Sequence, residues 1–413
     1  MQYRFSRRAQ RTDASLIRRM FNYAADVPDH VSLGVGIPPF EMPWYVTAGL
    51  TEALQTEASH INKYTLGKGL PPLNEAVAER LKRKGIVADP KKEILTTAGA
   101  AGGIFCTFMA LIDEGDEVVI PSPAYANHID VTVFAGGVPV TVPLMESQNY
   151  ELDHTAIENA ITEKTKAIVL CNPNNPTGTV YTEEALRTVG QIAKARNLIL
   201  FEDNAYEFLT YGGKRHFSLA SVPEYRDNVV AFFTSSKEHA MTGLRVGWVV
   251  ANEEVVEKAF GVQDLNYICP PSISQYAALA ALTGPQDHVE EFRQEFERRR
   301  DVMCRRLDEM PEFFRYVKPD GAYYVFPRLS EDVLERRSPK GKAQQRFGEI
   351  QGKFQTADTA VALDLLYGAG VVAIPGIAFG PEGKGHLRFS FAAEEDDIHM
   401  AFDRMGSYWR RAA

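Results

Sequence analysis

Three features of the sequence predict an α/β protein, with a mainly parallel sheet in a large domain and a smaller α+β domain beside it. Short apolar runs alternate with amphipathic helical stretches from about residue 90 to 250, the chain carries enough apolar residues for a large core, and its character changes after about residue 285. Alternation of this kind builds parallel sheets through right-handed crossovers. Ligands on such sheets sit beyond the carboxyl ends of the strands.

In chain order, the N-terminal run Arg4, Arg7, Arg8 and Arg11 is expected to be a solvated arm, and no apolar segment near it marks a signal peptide. Ile94-Leu-Thr-Thr-Ala-Gly99 leads into an apolar helix around Ile104–Ile112. Glu117–Ile120, Ala167–Cys171, Asn197–Glu202 and Val229–Phe233 have the continuous apolar character of buried strands, with a helical pattern at Glu183–Ala195. Beyond residue 285 come a long charged helix over Glu290–Met310, strand-like Ala322–Phe326 and His386–Phe391, and a helix near Thr359–Gly368. The charged segment Ser330–Gln355, with Ser338-Pro339-Lys340-Gly341 inside it, is expected to be an exposed insertion or mobile loop.

The chain has 413 residues, a formal net charge of −9 and 45% hydrophobic residues. A mildly acidic surface has no general attraction for nucleic acid or anionic membrane, so the expected partner is a small molecule. The longest apolar runs are too short to span a bilayer. Cys106, Cys171, Cys269 and Cys304 lie far apart without CxxC spacing, which fits reduced thiols in the cytoplasm and no zinc site.

Four strand ends carry groups with chemistry. Lys237 follows the Val229–Phe233 run, with Thr234 and Ser236 expected on one pleat face beside it and Arg245 eight residues on. Two hydroxyls and a guanidinium suit a phosphate dianion, and a desolvated lysine among cations is a usable nucleophile toward an aldehyde. Asp203 ends a buried strand, where a carboxylate is costly unless paired; it suits a protonated pyridine nitrogen, with Tyr206 in reach of a ring oxygen. Cys171-Asn-Pro-Asn-Asn-Pro-Thr-Gly178 is a rigid turn able to present Asn175. Free N–H groups of Gly99, Ala100 and Ala101 at a helix start suit a phosphate. Taken singly, each also has an ordinary explanation as a surface lysine, a capped aspartate or a tight turn.

Together these segments resemble the class I/II aminotransferases, the enzymes of fold type I that use pyridoxal 5′-phosphate (PLP), over most of the chain. Asn175-Pro-Thr-Gly178, Asp203 with Tyr206, Ser236-Lys237 and Gly243-Leu-Arg245 occur in family order. Pro375-Gly376 followed by His386-Leu-Arg-Phe-Ser390 matches the family's substrate-arginine segment. The resemblance implies a large PLP-binding domain over residues 46–285 with a mainly parallel seven-stranded sheet, a small domain over 286–413, and an N-terminal arm with part of the small domain over 1–45. It implies that Lys237 holds PLP as a Schiff base and acts as general acid/base, that Asp203 pairs with the pyridine nitrogen, that Asn175 and Tyr206 contact the ring oxygen, and that Tyr125 stacks on the ring. By the same resemblance Gly99, Ala100, Ala101, Thr234, Ser236 and Arg245 hold the phosphate. The resemblance further implies that Tyr64 reaches the neighbouring subunit's phosphate in a homodimer with shared active sites, and that Arg388, with Gly36 and Asn175 beside it, clamps the substrate α-carboxylate.

The implied activity is transfer of an amino group from an L-amino acid to a 2-keto acid in amino-acid metabolism. A PLP-dependent lyase, cyclase or oxidase of a biosynthetic pathway keeps the same lysine, aspartate and arginine, so that alternative stays open. A transcription regulator with an aminotransferase-like sensor needs a DNA-binding domain, for which about 30 N-terminal residues leave no room. The sequence departs from the family pattern at Ile37-Pro-Pro-Phe40, at Thr234 in place of a serine, and at Glu238 directly after the lysine. Leu16 and Ile17 are expected near the substrate side chain, favouring an apolar or aromatic one, and no second arginine for a dicarboxylate stands out.

Overall fold

The computed structural model describes residues 3–12, 15–336 and 339–411. Its centre is a seven-stranded sheet formed by β1 (Ile94–Thr97), β2 (Glu117–Ser122), β3 (Val138–Pro143), β4 (Thr165–Cys171), β5 (Ile199–Asp203), β6 (Val229–Thr234) and β7 (Gly247–Val250), in the spatial order β1-β7-β6-β5-β4-β2-β3. Only β7 runs against the others, so the expected mainly parallel sheet is present. Except for the edge strand β3, its strands are buried on both faces, which is why they read as unbroken apolar runs instead of alternating ones. The pleat splits each run between two cores: Val230 and Phe232 enter one, and Val229, Ala231 and Phe233 enter the other.

Helices connect and cover the strands. Glu183–Ala195 starts at Thr182, whose hydroxyl accepts from Ala185 N, and buries Leu186, Val189 and Ala193. Gly99–Leu111 follows β1 and packs against Glu253–Tyr267. Parallel connectivity brings the carboxyl ends of β1, β2, β4, β5 and β6 to one edge, and antiparallel β7 begins at that same edge. Thr97, Gly247 and Thr234 lie side by side there, and Cys171 is opposite Asp203.

A second layer comes from both ends of the chain. Leu387–Ser390 pairs antiparallel with Tyr324–Val325 on one side and Ile374–Pro375 on the other. Val31–Ser32 pairs parallel with Val371–Val372, tying the N-terminal segment to this part. The long helices Asp287–Asp308 and Glu395–Arg411 pack on each other beside it.

One expectation needs correction. The segment 330–355 is not a loose insertion: it holds the helices Glu331–Arg336 and Gly341–Glu349 and a turn at Gly352–Phe354. Val333, Ala343, Ile350 and Phe354 are buried, and Arg346 reaches Asp26 at 2.7 Å, so the charges form one face of an amphipathic cover. Ser338 lies outside the described residues. The basic arm is helical at Arg7–Arg11, capped by Ser6, and Arg11 is tied to Glu114 at 2.7 Å while remaining exposed.

Candidate functional site

The segments at the carboxyl edge close around a cavity of about 560 Å³, whose wall includes Gly36, Tyr125, Asn175, Asp203, Lys237 and Arg388. Lys237 stands just past β6. The backbone does not stay extended there, as the sequence reading supposed; Ser235–Glu238 forms one helical turn. Thr234 and Ser236 therefore meet as a cap and not as pleat neighbours: Thr234 Oγ1 accepts from Ser236 N at 3.1 Å and lies 2.9 Å from Ser236 Oγ. The turn aims Lys237 inward, where Nζ donates to Gly36 O at 2.6 Å. Burial first, then the guanidiniums of Arg388 and Arg245, push this amine down to about 7, against a smaller upward pull from Asp203.

Asp203 closes β5 and is 3% exposed. Its Oδ2 is 3.0 Å from His128 Nε2 and its Oδ1 accepts from Ala205 N at 3.1 Å. Two hydrogen bonds thus fix a buried carboxylate at the cavity wall. Tyr125, three residues before His128, meets that ring edge to face at 5.4 Å between centroids. Burial and the Asp203 charge push the Tyr125 hydroxyl up to about 12, so it stays protonated at neutral pH.

The Asn-Pro loop is pinned by Asn174, which donates to Tyr181 Oη at 2.9 Å and accepts from Thr177 N at 3.3 Å. That leaves Asn175 aimed into the cavity, its Nδ2 3.4 Å from Tyr206 Oη. Arg388, on Leu387–Ser390, donates Nη1 to Asn175 Oδ1 at 3.2 Å and Nη2 to Gly34 O at 2.8 Å. Its guanidinium lies 4.2 Å from the Tyr324 ring centroid. Arg388 Nε is buried with no hydrogen-bond partner among the described residues. Gly36 suits its place by lacking a Cβ, which would fall 2.3 Å from Tyr324 Oη.

On the β1 side, Ala100 and Ala101 line the cavity at the start of the Gly99–Leu111 helix. Gly99 itself lies just behind the wall with φ +73°, and a Cβ there would fall 2.7 Å from Arg245 Nη2. Thr234, Ser236, Thr242 and Arg245 complete this corner, with Arg245 at its exposed rim. Helix-terminal N–H groups, hydroxyls and a guanidinium converge as an anion site requires.

Tyr64, expected at the neighbouring subunit's phosphate, is 78% exposed and does not line its own chain's cavity. Leu16 is buried in the core, whereas Ile17, Arg18 and Phe21 of the same helix reach the wall. Arg18 adds an arginine at the wall that sequence reading did not single out. It also missed His128 and Tyr324: the first had a signal in its spacing from Tyr125, the second none, because only tertiary folding brings it to Tyr206 at 3.1 Å.

A sequence model of the family described as aminotransferase class I and II matches residues 28–405. An aspartate aminotransferase of Pyrococcus abyssi is 36% identical over 403 residues, 97% of each chain. Aromatic-amino-acid aminotransferase 2 of Thermococcus litoralis is 35% identical, again over 97% of each chain. Among solved structures, the aspartate aminotransferase from Thermus thermophilus with maleate superposes with a TM-score of 0.87 at 31% identity, over 98% of this chain and 100% of that one. The enzyme of the same name from Rhizobium meliloti gives 0.89 at 29% identity, over 99% and 100%.

Proposed function

The chain belongs to the class I and II aminotransferases, and from that premise we propose that its cavity holds pyridoxal 5′-phosphate on Lys237 and takes the α-carboxylate of an L-amino acid or 2-keto acid on Arg388. The protein is an aminotransferase. One observation carries that reading: an amine near neutral pKa shares a single cavity with a buried aspartate and a buried arginine.

The residues fit the coenzyme. The Gly99 turn and Arg245 leave a cradle for a dianion, Asp203 is a fixed carboxylate, and the orphaned Nε of Arg388 has a donor to spare. When bound, PLP supplies an electron sink for charge released at the substrate α-carbon and carries the amino group between substrates. Lys237 would hold it, and the free amine, with a pKa near 7, is well matched to moving a proton at the substrate α-carbon. Asp203, oriented by His128, keeps a proton on the ring nitrogen. Asn175 and Tyr206 orient the ring oxygen, and Tyr125 covers one ring face and excludes water. N–H groups of Gly99, Ala100 and Ala101, the hydroxyls of Thr234 and Ser236, and Arg245 hold the phosphate. Arg388, beside Asn175 and Gly36, orients the substrate carboxylate.

We further assign residues 46–285 to a large coenzyme domain and residues 286–413, with part of 1–45, to a small one. A homodimer with shared sites fits the surface: Tyr64, Leu66 and Leu265 are strongly exposed, and Gln263 Nε2 donates to Gly67 O at 2.8 Å, so the loop and helix bearing them adjoin. No described helix is long and apolar enough to cross a membrane. We assign the enzyme to the cytoplasm on its unpaired cysteines.

The test is a screen of amino-acid donors with 2-oxoglutarate or pyruvate as acceptor, following the visible absorbance of the bound coenzyme. Transamination yields one keto acid per amino acid consumed and no ammonia. Ammonia release in step with turnover would replace this reading with a lyase or oxidase.

A further inference from the structure

Behind Lys237 lies a buried charge cluster that none of these roles uses. Glu238 and Glu207 are the residues next in sequence to Lys237 and Tyr206, and both side chains are almost sealed from solvent. Arg80, on the Pro71–Lys82 helix, bridges them through one nitrogen: Nη2 donates to Glu238 Oε2 at 2.6 Å and to Glu207 Oε1 at 2.9 Å. Lys84 Nζ completes the group at 2.8 Å from Glu207 Oε1. Two acids meet two bases, so the cluster is neutral as a whole. Burial alone would raise the Glu207 carboxyl, but Lys84 and Arg80 outweigh it and hold it at about 2. Burial would raise Glu238 as well, but Arg80, His239 and Lys84 together outweigh it and hold Glu238 below the usual carboxylate range.

A buried acid directly after a lysine that must become neutral is a hazard. Left unpaired, its charge would favour the protonated amine. We infer that Arg80 is a positioning residue for the reaction: its guanidinium joins the turns that carry Lys237 and Tyr206, and it cancels the buried Glu238 charge one residue along the chain from the reactive amine. The inference rests on Lys237 being that amine. The groups facing Lys237 are Arg388, Arg245 and Asp203, with the Tyr323 ring centroid at 5.7 Å. Those facing Glu238 are Arg80, Lys84, Glu207, His239 with Nδ1 at 3.9 Å, and His288 and Tyr45 from the elements opposite.

The test measures the pH dependence of Lys237 acetylation by trace acetic anhydride in the full-length protein, stripped of any carbonyl ligand with hydroxylamine and read peptide by peptide by mass spectrometry. It needs neither coenzyme nor turnover, so it fails or succeeds separately from the coenzyme reading. Arg80→Met should raise the midpoint by about one pH unit, the order expected when one buried negative charge near the amine is left uncompensated. Arg80→Met with Glu238→Gln should return it to the starting value. Should Arg80→Met fail to fold, Glu238→Gln alone serves: it leaves two bases against Glu207 and should lower the midpoint by a similar amount. Midpoints that stay put in the folded variants while melting temperatures fall would make Arg80 a structural residue only and overturn the inference.

Discussion

Arg388→Lys isolates the carboxylate clamp because it keeps the charge and removes the fork. The arginine is 3% exposed and already spends Nη1 on Asn175 and Nη2 on Gly34 O, which sets its plane, while stacking on Tyr324 holds it there. A planar guanidinium so fixed can offer a carboxylate two charge-assisted bonds; a lysine offers one and cannot hold the same framework contacts. A hydrogen bond to a charged group is worth ~1.5–3 kcal/mol, so losing one should cut kcat/KM by a factor of roughly 10 to 150. The assay compares phenylalanine with phenylethylamine, which lacks the carboxylate, in single-turnover conversion of the bound coenzyme. The variant should lose rate with phenylalanine and almost none with the amine. Equal losses on both substrates would show that Arg388 supports the cavity without gripping a carboxylate.

The depressed Lys237 amine gives a pH signature: it is protonated below about 7 and free above it. The rate at which the coenzyme-free protein captures PLP should rise about tenfold per pH unit below 7 and level off above, as stopped-flow absorbance will show. Between that value and the usual 10.5 the unfolded chain binds the extra proton, so this group makes stability rise with pH across that window, a trend thermal melts can check. Arg18 lines the outer wall beside Ile17 and Phe21; Arg18→Ala should lower kcat/KM for aspartate and glutamate by about tenfold, the worth of one charged hydrogen bond, and change phenylalanine by less than about twofold. Leu265 is 90% exposed, and Leu265→Lys should shift the protein from dimer to monomer in sedimentation velocity; an unchanged dimer would place the interface elsewhere.

Strand ends were legible because a strand covered on both faces must be apolar throughout, so a Lys, Asp or Asn directly after one is conspicuous. That logic located Lys237, Asp203 and Asn175, all on one cavity wall. It failed where local backbone changed type, as at Ser235–Glu238, where an extended chain was assumed and a helical turn formed. It failed for the 330–355 segment because Pro339 and Gly341 separate two short helices with one buried position each, Val333 and Ala343, and only Ile350 and Phe354 are buried beyond them among the described residues. Arg80 and Tyr324 were invisible for a different reason: each acts on residues more than 100 positions away, at contacts only tertiary folding creates.

Everything catalytic in this reading depends on one covalent attachment. Incubating the purified chain with PLP, reducing with borohydride and mapping the modified peptide should put a single phosphopyridoxyl group on Lys237, with none in Lys237→Ala. A colourless protein, or a label on a different lysine while Lys237 stays unmodified, would contradict it.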